Sequence, residues 1–459
     1  MNHVDGKLVE IESRRIRPAR VTFTKGVITS IEEAPNPDLC HHFLLPGFID
    51  AHVHIESSML TPSQFARIAV RHGTVGVVTD PHEIANVLGV PGIQFMLDDA
   101  ENVPFHFWFG APSCVPATHF ETSGAELSVT QTQSLLDDQR IHYLSEMMNF
   151  PGVLAGDAEV IAKINAASER HLKIDGHAPG LRGQAAARYF AAGISTDHEC
   201  FTEDEAIDKL KVGALVLIRE GSAARNFDAL KGLIDRYPGR VMFCSDDKHP
   251  DDLVVGHINQ LCGRAVAQGC DLFHTLMAAC VTPVRHYDMN CGLLKVGDSA
   301  DFIEVDSLTT FHVNRTFVRG QCVAEAGRSH ISVTTPSPIN RFHCQPPSLA
   351  DIQVDDQPGK SIRVIVAHDG LLTTGADIVR PTVRSRQVIA DVQRDLLKIV
   401  VINRYTEAPP AIGFIRGFGL QRGAIAGSVA HDSHNIIAVG TSDSELCTAV
   451  QAVIRCQGG

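Results

Sequence analysis

Between residue 46 and about residue 290, apolar runs of four to seven residues alternate with stretches whose polarity suits helices. That rhythm is the mark of parallel strands joined by crossover helices. Eight such runs are present: 47–52, 76–80, 105–110, 143–146, 172–177, 193–198, 214–220 and 241–247. Eight β/α units in about 245 residues predict an α/β protein built on a (β/α)8 TIM barrel.

The flanks follow a different period. Lys7–Glu12, Ala19–Thr24 and Val27–Ile31 alternate roughly by two, as strands do, but are too few to make a stable sheet alone. Further strand-like runs lie far downstream, at Asp301–Val305, Phe311–Val313 and Thr316–Val323. The two flanks therefore predict one small β-sandwich domain, residues 1–45 plus 292–330, around a barrel at 46–291. Prolines and polar residues predict a linker at 331–350. Strand-like runs at 361–366, 397–402 and 436–439, with a helix opened by Ser442-x-x-Glu445, predict a C-terminal α+β domain over 351–459.

Composition narrows the function. A formal charge of -13 and the lack of a basic stripe argue against nucleic acid as a partner. No run approaches the ~18 consecutive apolar residues of a membrane span, and the N-terminus has no apolar signal core. A soluble, cytoplasmic protein is expected. The twelve cysteines form no Cys-x-x-Cys pair and read as scattered reduced thiols. The H-x-E…P-C-x-x-C pattern of the cytidine-type zinc deaminases is absent.

The candidate chemistry lies at the C-terminal ends of the apolar runs, which in a barrel share one face. There stand His52 and His54, Asp80 with His82 and Glu83, Glu146, His177, His198, Arg219 with Glu220, and Asp246 with Asp247. In His52-Val-His54 strand alternation sends both imidazoles to one side, about 7 Å apart along the chain. Four histidines and two carboxylates exceed the needs of one tetrahedral zinc and suit two metals bridged by a carboxylate and a water. Nitrogen and oxygen donors without thiolate leave manganese, iron(II) and zinc open.

Several of these segments also carry a resemblance. Leu45–His54 resembles the first-strand signature of the amidohydrolase superfamily, and Gly292–Ile303 resembles its return into the small β domain. His54–Met59, Asp80–Val87, Glu146–Val153, Asp175–Gly180, Arg219–Asn226 and His431–Asn435 together resemble the adenine deaminase family. The resemblance implies that His52 and His54 bind a first metal, that His177 and His198 bind a second, and that Glu146 bridges them. Asp246 would bind the first metal and act as general base. A metal-activated hydroxide would then attack C6 of adenine, releasing ammonia and hypoxanthine. Two divalent ions, manganese first and iron(II) or zinc as alternatives, and a homodimer or higher homo-oligomer are implied as well. Family members continue past Gly458 and Gly459, so the last domain is expected to be shortened.

Recognition of the purine is assigned to His82, Glu83, Arg219, Glu220 and His431. Arg219 has a second reading as half of a structural ion pair, His82 as an orienting neighbour or an extra metal ligand, and the His431–Asn435 cluster as a surface turn. Two other functions compete: deamination of another aminopurine or hydrolysis of a cyclic amide, and purine binding without turnover.

Overall fold

The computed structural model describes residues 2–118, 120–333 and 335–459, and its chain divides into two compact units. The first comprises residues 1–82, 93–114 and 127–336; the second comprises 83–92, 115–126 and 337–459. Thr334, within the expected linker, lies outside the described residues.

All eight expected strands form the centre of the first unit. Phe48–Val53, Thr74–Thr79, His106–Ala111, Ile141–Met147 and Lys173–Gly176 make one parallel sheet, and Thr196–Asp197, Leu215–Arg219 and Val241–Cys244 make another. The two join into a closed barrel. At one seam Ser195 N donates to Ile174 O at 2.9 Å, and at the other Val53 bridges Asp246 in parallel. Runs such as Thr74–Thr79 are buried on both faces, which is why they read as continuous apolar stretches rather than alternating ones. Helices such as Glu203–Lys211 and Ile258–Ala267 cover the outside and turn Ala206, Leu210, Leu261 and Ala265 into the barrel's apolar layer.

Both flanks of the barrel contribute to one eight-stranded sheet. Phe43–Pro46 stands at its centre, between Asn2–Glu10 on one side and Phe302–Val305 on the other. The sheet curls so that its two halves form the layers of a sandwich: Phe23 meets Phe302 and Phe317 edge-on at 5.7 and 6.1 Å. Adjacent to the barrel, buried Asp301 accepts from Gly292 N and Arg319 N and pairs with His106 at 3.0 Å.

The second unit holds a six-stranded sheet and the helix Asp443–Cys456. Its core is Val400, Ile402, Ile436 and Ala438 of the sheet against Leu446, Val450 and Val453 of the helix. Ser442 caps the helix as expected, accepting from Glu445 N. The Glu445 carboxylate departs from the reciprocal bond of a capping box and accepts from Gly423 N instead, at 3.0 Å, tying the helix to its sheet. Among the described residues no helix is long and apolar enough to cross a membrane.

Candidate metal centre

Because strand ends in a barrel converge, six side chains separated by up to 194 positions in the sequence meet at one point. Glu146, at the end of the fourth strand and 2% exposed, lies in the middle. Its Oε1 lies 3.3 Å from His54 Nε2, and its Oε2 lies 2.8 Å from His177 Nδ1 and 3.1 Å from His198 Nε2. On the other side of His54, Asp246 Oδ1 lies 3.4 Å from His52 Nε2 and 3.2 Å from His54 Nε2, and those two nitrogens are 3.2 Å apart. Donors held at about 2.1 Å around one cation stand roughly 3–3.5 Å from each other, so the His52, His54 and Asp246 spacing fits a divalent ion. The donor set is nitrogen and oxygen only and is buried, save for a partly open His177.

Local structure fixes these side chains. His54 Nδ1 donates to Asp80 O at 3.0 Å, leaving Nε2 as the atom that faces the cluster. Asp246 has φ +54, a left-handed conformation that Asp tolerates better than most residues. Two hydrogen bonds hold it there: Asp246 N donates to His52 O at 2.8 Å, and His54 N donates to Asp246 O at 3.2 Å. The eighth strand thus presents its carboxylate between the two histidines of the first.

The electrostatics favour a cation. Burial would push Glu146 up, but His177, His198 and His54 outweigh it and hold its carboxyl well below the usual range. Burial likewise opposes ionised Asp246, yet Arg219, 2.8 Å from Oδ2, keeps it well below that range. On His177, burial works against the charged form, while Glu146 lifts it to about 9. Two carboxylates held well below their usual range at the centre draw positive charge.

His82 joins the cluster, with Nδ1 3.1 Å from Asp80 Oδ2 and 3.5 Å from Glu146 Oε1. Arg219 is fully buried and takes the ion-pair role, donating through Nη1 to both Glu199 and Asp246. Glu199 was not singled out from the sequence, yet it lies 3.5 Å from His198 and 3.8 Å from His177. Its position next to His198 was the available signal. Glu220 is set apart from the cluster: it pairs with Arg264 at 2.8 Å and Arg225 at 3.8 Å. Strand alternation explains this, because Arg219 points inward and its neighbour must point away. Glu220→Gln is therefore expected to leave kcat and KM for substrate within about twofold in steady-state kinetics.

Within the second unit, Glu83 and His431 are brought together. His431 Nε2 lies 3.2 Å from Glu83 Oε1, and His434 Nε2 lies 3.5 Å from Oε2. Glu83 is buried, whereas the His431 side chain is 46% exposed.

Comparison with known proteins gives this arrangement a context. Residues 43–366 match the Amidohydrolase family, and residues 371–459 match the Adenine deaminase C-terminal domain. The chain is 55% identical over 457 residues to the adenine deaminase of Salinibacter ruber, covering 99% of this chain and 83% of that one. It is 48% identical to the adenine deaminase of Methanosarcina mazei (99% and 84% covered). Among solved structures, a β-aspartyl dipeptidase from Fervidobacterium islandicum aligns with TM-score 0.53 at 15% identity over 71% of this chain and 97% of that one. A mutant atrazine chlorohydrolase from Arthrobacter aurescens, complexed with zinc and atraton, aligns with TM-score 0.53 at 13% identity over 72% and 97%. At such identities the structural likeness concerns the fold.

Proposed function

The chain belongs to the adenine deaminase family of the amidohydrolases, and from that premise we propose that it hydrolyses adenine to hypoxanthine and ammonia with two divalent cations held by the Glu146 cluster. The observation that carries the proposal is the convergence of four imidazoles on Glu146 and Asp246, in a chain about half identical to curated adenine deaminases. His52, His54 and Asp246 would hold one cation and His177 and His198 the other, with Glu146 Oε1 toward His54 and its Oε2 toward His177, His198 and, at 3.8 Å, His52. Cations bound there would acidify a water toward neutrality and polarise the group under attack.

Asp246 is the proton carrier in this reading. Its Oδ2 is fixed by Arg219 and its Oδ1 faces the His52 and His54 nitrogens, so the carboxylate is aimed and ionised before substrate arrives. It takes the proton of the attacking water and returns it to the exocyclic nitrogen, which then departs as ammonia rather than as an amide anion. Glu83 is proposed as a contact to the purine, and within its own unit its carboxylate faces His431 and His434. Arg219 acts on substrate only through Asp246 and Glu199. Manganese is the proposed ion, with iron(II) and zinc as alternatives. A cytoplasmic homo-oligomer is proposed on the family resemblance, and twelve free cysteines suit a reducing compartment.

Ammonia release from adenine, adenosine and a cyclic amide tests the substrate. Release from adenine alone is expected, abolished by dialysis against a chelator and restored by manganese. Equal turnover of adenosine, or turnover that survives chelation, would contradict the proposal.

A further inference from the structure

Behind His177 and His198 lies a buried charge cluster that the proposed chemistry does not use. We propose that Lys209 is a positioning residue whose ammonium holds the His177 and His198 loops in register for the second cation, an inference that rests on the metal assignment above.

The geometry begins with the helix Glu203–Lys211, capped by Thr202, whose Oγ1 accepts from Glu205 N. A long helical side chain runs back toward the helix N-terminus. Lys209 does so, and its Nζ reaches Glu205 Oε1 at 2.8 Å, Asp197 Oδ1 at 3.1 Å and Ala178 O at 2.7 Å. Lys209 and Asp197 are fully buried and Glu205 is 3% exposed. Ala178 O and Glu205 Oε1 accept hydrogen bonds from the ammonium, and Asp197 stands beside it as an ion pair.

The two carboxylates carry the clamp outward to backbone. Asp197 Oδ2 accepts from Ala178 N at 2.9 Å and Oδ1 accepts from Glu199 N at 2.8 Å. Glu205 Oε1 accepts from Gly180 N at 2.8 Å and Oε2 from Phe201 N at 3.2 Å. The pinned backbone groups thus adjoin His177 on one loop and His198 on the other. Two loops from different strand ends share one counter-charge, and the alignment of both histidines depends on it. Two carboxylates against one ammonium also leave a surplus negative charge beside these histidines, of the sign that favours a cation. Replacing the lysine would leave both carboxylates buried and unneutralised, so the loops must separate or take up protons.

The test measures metal rather than turnover alone. Wild type, Lys209→Met and Glu205→Gln are purified with manganese, and bound metal per chain is measured together with the rise in melting temperature that manganese produces. Wild type is expected to hold about two ions. Lys209→Met is expected to hold about one, with a smaller manganese-dependent rise, and with kcat down at least about tenfold at nearly unchanged KM. If Lys209→Met fails to fold, Glu205→Gln, which keeps the Lys209 and Asp197 pair, decides the matter by the same loss of metal. A full metal complement in a folded variant, even one of lower melting temperature, would overturn the positioning role and leave the metal assignment standing. A wild-type chain that takes up no manganese would overturn the assignment itself.

Discussion

Asp246→Asn is expected to lower kcat on adenine by about 10^3-fold while the protein remains folded, within the range set by removing a general base. The substitution is nearly isosteric, so packing is preserved and the chemistry is what changes. Asp246 Oδ2 accepts from Arg219 and Oδ1 faces two imidazole nitrogens. An asparagine amide can satisfy only one of these directions. Turned one way its NH2 opposes the guanidinium, and turned the other it opposes the histidines and any cation between them. In neither orientation can it accept a proton from water at neutral pH. Steady-state kinetics on manganese-loaded protein, with circular dichroism as the folding control, checks the outcome. A kcat within tenfold of wild type would remove Asp246 from the proton transfer.

Glu146→Gln is expected to be more severe, abolishing detectable deamination and removing the response of the melting temperature to manganese. Glu146 is the one group shared by both histidine sets: Oε1 faces His54 and His82, and Oε2 faces His177 and His198. The amide nitrogen of glutamine would face two imidazole nitrogens on whichever side it occupied. Loss of the negative charge also removes the largest attraction for positive charge at the centre of a buried site. Metal analysis should therefore separate the two variants, with Asp246→Asn keeping part of its manganese and Glu146→Gln keeping little. Retention of the full complement by Glu146→Gln would contradict the bridging role.

The barrel and the centre of its site were legible because both depend on short-range patterns. Doubly buried parallel strands leave continuous apolar runs, and the residues that end them share one face of the barrel, so the meeting of His52, His54, Glu146, His177, His198 and Asp246 could be read one strand at a time. What was not legible depends on pairing across the fold. Glu199 follows a histidine in an ordinary loop, and only Arg219, twenty positions later on the next strand, reveals its use. Lys209 sits on a helix rich in charge, where a solvent-facing lysine is the usual case, and its burial follows from Asp197 and Glu205 closing over it. Glu220 was a different kind of miss. The period of two along Leu215–Arg219 already puts it on the face opposite Arg219, and its pairing with Arg264 follows from that.

The most direct test of the account is anomalous diffraction from crystals of the wild-type protein grown with manganese. The account predicts two anomalous peaks flanking Glu146, one among His52, His54 and Asp246 and the other beside His177 and His198. A single peak, or peaks remote from Glu146, would contradict it.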